Sequence, residues 1–386
     1  MLLILPMAGI YLHIPFCKKA CHYCNFHFST QTVHIQAFVE ALVKEIALQK
    51  SYLNDPIQTI YFGGGTPSLL NADQLKAIMD ALYFHFEIAP IIECTLEANP
   101  DDITAIKLAE WKKIGINRLS IGIQSFQAPA LEWMNRAHTV EQSHAAIKLA
   151  QAAGINNLSV DLIYGTPTLS DEALMADLDW IDQYQIKHIS CYALTVEDKT
   201  ALKKLIEKAQ LEDVDPEKQA IHFELLTARL EAMGMEHYEI SNFAQPGFRS
   251  QHNSNYWSGI RYLGLGPSAH SFNGISRQWN IANNALYIQS IANDQLNFEI
   301  EYLSEANRFN EYMMTSLRRI EGFDLDDIER NFGFAYVQHC KATIESMDAK
   351  NYFHQNGKKI ALRTEAKFLA DGIASDFFIL ATSQSL

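Results

Sequence analysis

The chain is poor in basic residues. Its 386 residues include 31 Lys and Arg against 45 Asp and Glu, for a net charge of −14. A protein that coats nucleic acid needs a basic field, so no nucleic-acid partner is expected. Long apolar runs are also missing. Residues 1–12 carry no Lys or Arg and are broken by Pro6 and Gly9, and they fall short of the roughly 20 residues that cross a bilayer. They also lack the basic start of a signal peptide, so they read as the lead into a first strand of a cytoplasmic protein. No internal repeat or low-complexity tract stands out. At 48% hydrophobic and 20% charged residues, the chain can bury a sizeable core, which excludes a disordered protein.

Cysteine is scarce as well, at six residues. Cys94, Cys191 and Cys340 are scattered and read as small buried hydrophobes. Cys17, Cys21 and Cys24 instead form a C-x3-C-x2-C loop. Without a secretion signal a disulfide framework is not expected. Three thiolates in one short loop suit a [4Fe–4S] cluster with one iron open to an exchangeable ligand. Zinc is the competing reading, with His22 or His27 as a fourth ligand, although the second C-x2-C arm of a closed zinc site is absent.

From residue 8 to about 235 a β-rich run, a loop and a helical pattern alternate six times. The expected strands are 9–14, 59–62, 93–96, 118–121, 158–163 and 188–192, short and rich in β-branched or aromatic residues as buried parallel strands are. Ile35, Phe38, Val39, Leu42, Val43 and Ile46 share one helical face, as do Leu174, Leu178 and Ile181. Asp215-Pro216 opens a further helix and Gly234 closes it. The fold class is therefore α/β, with right-handed crossovers building a partial (β/α)6 barrel over residues 1–235. Residues 236–300, rich in Asn, Ser, Gly and aromatics, read as a connecting segment. Residues 301–386 show helices and then a hairpin around Gln355-Asn356-Gly357, which suggests a small winged-helix-like α+β domain. Its 10 Lys and Arg against 13 Asp and Glu favour an architectural role over DNA binding.

The polar signals gather at one end of the expected strands, where parallel barrels carry their functional loops. The cysteine loop follows strand one, Gly63-Gly64-Gly65-Thr66-Pro67 strand two, Glu97-Ala98-Asn99-Pro100 strand three and Gln124-Ser125-Phe126 strand four. Asp161 lies within strand five. Each alone reads as a tight turn, a solvated loop residue or a satisfied core polar group; together, on one rim, they suggest a site. Gly63–Gly65 would let backbone approach an amino-acid group and offer N–H donors. Glu97 would take an ammonium, Arg136 a carboxylate, and Gln124 and Asp161 a ribose. Tyr11 and Tyr23 would supply aromatic surface.

These residues resemble the radical S-adenosylmethionine superfamily, and more narrowly the family of oxygen-independent coproporphyrinogen III dehydrogenase and its haem-chaperone relatives. The resemblance is carried by Tyr11-x-His13-Ile-Pro-Phe-Cys17, Tyr61-Phe-Gly-Gly-Gly-Thr-Pro-Ser68, Glu97-Ala-Asn-Pro100 and Arg118-Leu-Ser-Ile-Gly-Ile-Gln-Ser-Phe126. Asp161-Leu-Ile-Tyr-Gly165, His252-Asn-x-x-Tyr-Trp257 and Gly264-x-Gly-Pro-Ser-Ala-His-Ser271 extend it over nearly the whole chain. It implies that Cys17, Cys21 and Cys24 hold the cluster, whose open iron takes the amino and carboxylate groups of S-adenosylmethionine. Tyr11, Tyr23, Gly64, Gly65, Thr66, Glu97, Gln124, Arg136 and Asp161 match the cofactor contacts. Family chemistry cleaves the sulfonium to a 5′-deoxyadenosyl radical. The dehydrogenase branch also binds a second S-adenosylmethionine, which Gly65-Thr66 would adjoin.

Two branches differ beside the cluster. The dehydrogenase has Cys-Gly-Cys where this chain has Cys24-Asn25-Phe26, and it carries a longer segment ahead of the cluster than the sixteen residues before Cys17. The haem-chaperone branch lacks the extra Cys and carries the motif at His252, although it usually has Asp where this chain has Asn25. The resemblance therefore implies a haem chaperone that passes haem to acceptor haem proteins, membrane respiratory enzymes among them. Its cluster would support dimerisation or release, and a homodimer is allowed. His252 would be the haem ligand in a loop-like stretch, with His270 as the alternative and Arg249 and Arg261 pairing with propionates. The runner-up is the dehydrogenase itself, and a nucleic-acid-modifying radical enzyme stands third.

Overall fold

The computed structural model describes residues 7–347 and 351–379; the lead at residues 1–6 lies outside them. Six parallel strands alternate with helices: β1 (Ala8–Ile14), β2 (Ile57–Gly64), β3 (Ile88–Ala98), β4 (Arg118–Gln124), β5 (Leu158–Tyr164) and β6 (His188–Ala193). Each contains the run expected from its composition. The crossover helices start where side chains satisfy free N–H groups. Asn71 and Thr139 form capping boxes with Gln74 and Gln142, and Asp215 accepts from Glu217 N ahead of the helix that Pro216 opens.

The two faces of this sheet differ. Ile10, Leu12, Ile60, Phe62, Leu96, Ile121, Val160 and Ile189 are buried in the main apolar cluster with the helices. The alternating residues bond one another across the opposite face: Tyr61 to Glu97, Ser120 to Asp161, Ser159 to His188. A purely structural parallel sheet would be apolar on both faces. Here the interior is polar.

Residues 236–300 are more than a connection. They supply β7 (Glu236–Glu239), β8 (Asn242–Ala244), β9 (Arg261–Leu265), β10 (His270–Phe272), β11 (Ser276–Asn280) and β12 (Phe298–Tyr302). β8 and β7 extend the sheet beyond β6, whereas β9 lies parallel to β1 and β10 to β12 follow it outward. The result is an open twelve-stranded sheet in the order β12-β11-β10-β9-β1-β2-β3-β4-β5-β6-β8-β7. Strands of three to five residues are too short to leave a readable period, so the composition looked irregular.

The C-terminal part has its own core around Phe309, Met313, Leu317, Ile328, Val337 and Phe377. Its helices alternate with a small sheet of β13 (Phe323–Asp324), β14 (Phe353–Asn356) and β15 (Lys359–Leu362), in the order β13-β15-β14: the helix Glu305–Leu317 precedes β13, Leu325–Phe332 and Phe334–Met347 stand between β13 and β14, and Ala370–Ser375 follows β15. The hairpin turn is Gly357-Lys358, one residue beyond the expected centre, because Asn356 pairs with Lys359. Lys367 Nζ, buried, donates to His237 O on β7, and Arg318 pairs with Glu239 at 3.0 Å. These contacts tie this part to the sheet edge.

Candidate functional site

The cysteine loop leaves β1 and is drawn shut at its neck, where Cys17 N donates to Ser29 O at 3.0 Å and Ser29 N to Pro15 O at 2.8 Å. Lys18 anchors it to Asp101 and Asp102 after β3. From the far side, His22 N donates to Met134 O, and Asn135 Nδ2 to Ala20 O at 2.8 Å. The three thiols line one cavity of about 410 Å3 at the mouth of the barrel. Burial pushes the Cys24 thiol up to about 11 and raises Cys17. No group of His, Cys, Asp or Glu among the described residues converges as a single ion requires. In a multi-iron cluster each thiolate takes its own iron, so three sulfurs around a shared space fit that group.

Tyr23, Gly64, Gly65, Thr66, Glu97, Gln124, Arg136 and Asp161 line the same cavity. Tyr11 and His252 do not. Tyr11 lies deeper in the barrel, its hydroxyl 3.2 Å from His13 Nδ1 and its ring stacked on Tyr61 at 6.1 Å. His252 sits on the helix Gln251–Trp257, not in a loop, because Ser250 and the Glu93 carboxylate cap its first N–H groups. Its Nδ1 is 2.9 Å from Thr59 Oγ1 and its ring stacks on Tyr61 at 5.0 Å. Burial and the Arg118 charge hold this imidazole down at about 3, hence neutral. Arg249 and Arg261, expected to meet propionates, are already paired with Glu236, Glu321 and Asp55.

Two expected roles change. The glycine triplet serves the packing of strand ends. A Cβ on Gly63 would stand 2.9 Å from the Tyr11 and Tyr61 rings, one on Gly64 2.6 Å from His13, and one on Gly65 2.8 Å from Ile14 O. Its N–H groups are also engaged, Gly64 with Glu97 Oε2 and Gly65 with Ile14 O. Arg136 chiefly braces the cysteine loop. Its Nη1 lies 3.2 Å from Cys21 Sγ and 3.3 Å from Tyr23 Oη, while Nη2 bonds Asn99 Oδ1 and Gly122 O. Only its buried Nε lacks a partner, leaving one donor for a ligand acceptor.

Glu97 accepts from Tyr61 Oη at 2.8 Å and faces Asp161, which accepts from Ser120. Among the described residues neither carboxylate has a Lys or Arg partner in hydrogen-bond contact. Burial and the neighbouring Asp161 charge push Glu97 up to about 7, and burial raises Asp161. Two buried carboxylates with no direct cationic partner, only the nearby Arg118 charge acting on both, suit a ligand carrying positive charge. Gln124 reaches the rim through a left-handed backbone, φ 67°, a strained state for a residue with a Cβ. Tyr192 and Leu194 also line the cavity. The period-two polar alternation His188, Ser190, Tyr192 along β6 signals the inward face that the sequence reading passed over.

The Glu97 environment carries a pH prediction. A cationic ligand binds the ionised carboxylate, so protonation below about 7 competes with binding. For the S-adenosylmethionine that the sequence resemblance implies, affinity should fall by up to about tenfold per pH unit below that point and level off above it. Glu97→Gln should flatten this dependence and lower the plateau about ten- to hundredfold. Equilibrium binding to reconstituted protein across pH checks both; a parallel slope in the variant removes Glu97 from the ligand.

A model of the Radical SAM superfamily matches residues 11–181. The fold agrees with that class: Coproporphyrinogen III oxidase (HemN) from Escherichia coli, described as a radical SAM enzyme, superposes with a TM-score of 0.84 at 22% identity, covering 97% of this chain and 90% of that one. Heme chaperone HemW from Mycobacterium tuberculosis is 34% identical over 371 residues, 95% of this chain and 93% of that protein. Heme chaperone HemW from Bacillus subtilis is 31% identical over 96% of this chain and 99% of its own length. The chain belongs to the HemW family.

Proposed function

We propose that this protein is a haem chaperone of the cytoplasm, binding haem and passing it to acceptor haem proteins, membrane respiratory enzymes among them. Cys17, Cys21 and Cys24 would hold a [4Fe–4S] cluster, and Glu97, Asp161 and Arg136 Nε would orient S-adenosylmethionine beside it. When bound, the pair supplies one-electron reduction of a sulfonium. This chain's own residues hold the ligand charge, brace the loop and shield the space from water. The reading is supported by relatives named heme chaperones over nearly their full length. Among the described residues no helix is long and apolar enough to cross a membrane.

The reading is favoured over the dehydrogenase by relatives named heme chaperones at 31–34% identity over nearly the whole chain, against 22% identity to the oxidase, and by Phe26 where the dehydrogenase pattern has a further cysteine. Among the described residues, Lys19 and Arg136 are the only cations lining the barrel mouth, and both already donate into the protein. Glu97, Asp161 and Glu197 face the same space. Incubation of anaerobically reconstituted protein with coproporphyrinogen and S-adenosylmethionine should yield no protoporphyrinogen, while the same preparation binds haem and loads an apo haem protein. Protoporphyrinogen formation overturns the reading.

A further inference from the structure

Arg118 opens β4 and is 1% exposed, its side chain enclosed among those of the barrel interior. Its Nη2 reaches His188 Nδ1 at 3.4 Å, and its Nε and Nη1 have no hydrogen-bond partner. Among the described residues no carboxylate bonds it. A guanidinium keeps its charge at any pH a protein meets, and a buried charge left uncompensated is strongly destabilising. Some other group in the interior must therefore carry the opposite sign.

The surroundings narrow the choice. Burial and the Arg118 charge hold His188 and His252 neutral, and burial keeps the Tyr61 and Tyr238 hydroxyls protonated. Glu93 accepts from Gln251 N and His252 N, so its charge is met by a helix N-terminus. Glu239 is paired with Arg318. Glu97 and Asp161 remain. Thr95 is the register partner of Arg118, and Glu97 follows two residues later, opposite Ser120. Ser120, two residues beyond Arg118, donates to Asp161 at 3.1 Å. Residues two apart on a strand share a face, so both carboxylates stand one step from the guanidinium along the same interior. Its charge favours the ionised form of each. Arg136, which also acts on Asp161, is turned to Cys21 and Tyr23.

We infer that Arg118 is a positioning residue of the cofactor site: its guanidinium neutralises one carboxylate of the Glu97–Asp161 pair and leaves the other for a ligand of net positive charge. The inference rests on the S-adenosylmethionine reading of this cavity. With both carboxylates ionised, one guanidinium leaves a single negative charge in excess. A sulfonium amino acid, a zwitterion with one further positive charge, cancels it. Without such a ligand the pair retains a proton, which binding must displace.

The test is calorimetry of S-adenosylmethionine binding to the reconstituted full chain across pH, in buffers of different ionisation enthalpy, which reads affinity and proton release together. Wild type should release up to about one proton below pH about 7 and little above it. Arg118→Gln should move the pH midpoint of affinity upward by about one unit or more, so that affinity near neutral pH falls about tenfold or more. Above its new midpoint the variant should bind at least as tightly as wild type, because a repelling cation has gone. Arg118→Lys should return the midpoint to the wild-type position. A loss of affinity that is equal at every pH, with the midpoint unmoved, marks a purely structural role and overturns the inference. Where Arg118→Gln does not fold, wild type supplies the test. S-adenosylhomocysteine lacks the sulfonium charge and should release no proton under conditions where S-adenosylmethionine does; equal release by the two ligands overturns the inference. A wild type that binds neither ligand overturns the cofactor reading, and the inference with it.

Discussion

Cys21→Ala should abolish the iron content and brown visible absorbance of anaerobically reconstituted protein, whereas Cys94→Ala should leave both intact. The expected loss is complete because in the proposed cluster each thiolate would serve a separate iron, and two ligands cannot hold a cluster built around three. Cys21 also has a particular environment. Its Sγ sits 3.2 Å from Arg136 Nη1, so a thiolate there gains a fixed positive neighbour and a charge-assisted contact. Cys17→Ala and Cys24→Ala should share the phenotype. Cys94 is fully buried in the apolar core beneath the helices and faces no cavity. Iron retained at the wild-type level in Cys21→Ala would remove the loop from the metal site.

The largest effect on stability is expected at Glu45. This residue interrupts the apolar face of the first crossover helix, Ile35–Leu48, and is 1% exposed. Its carboxylate accepts from Gly266 N at 2.8 Å, Asn280 Nδ2 at 2.6 Å and Tyr287 Oη at 2.6 Å. One side chain thus fastens the β9–β11 extension to the barrel. Glu45→Ala would leave Gly266 N and the Tyr287 hydroxyl buried without an acceptor, and Asn280 Nδ2 with Gly266 O alone, at a cost of about 3–5 kcal/mol. Glu45→Gln keeps one acceptor, and the Tyr287 hydroxyl can reverse its role, so less than half of that loss is expected. Urea unfolding of the full chain checks the order; equal stability of Glu45→Ala and wild type would show that the segment is held by packing alone.

Glu45 also shows where reading the sequence stopped. On a helical wheel it is one polar residue inside an apolar stripe, with nothing local to mark it as the acceptor for residues more than 200 positions on. The same holds for Arg136, expected to face a ligand and found bracing Cys21 and Tyr23 from 115 and 113 residues away. The glycine triplet was legible as a special turn, but its crowded neighbours Tyr11, His13 and Ile14 belong to another strand. Tyr11 and His252 carried motif signals yet do not line the cavity, because Tyr11 lies three residues before the end of β1 and a capped helix holds His252 against Thr59 on β2.

The sequence by itself determined the alternation of six strands and helices, the cysteine loop at the end of the first, and the rim of polar residues on one side. Those features are written in short-range periodicity, capping residues and spacing, which act within a few residues of one another. The tertiary structure alone decided that residues 236–300 would join both edges of the sheet, that Arg136 would serve the loop, and that Arg118 would share one enclosed interior with Glu97 and Asp161. Such contacts pair residues separated by tens to hundreds of positions. Their energy lies in desolvated hydrogen bonds and packed faces that exist only once the chain has closed on itself.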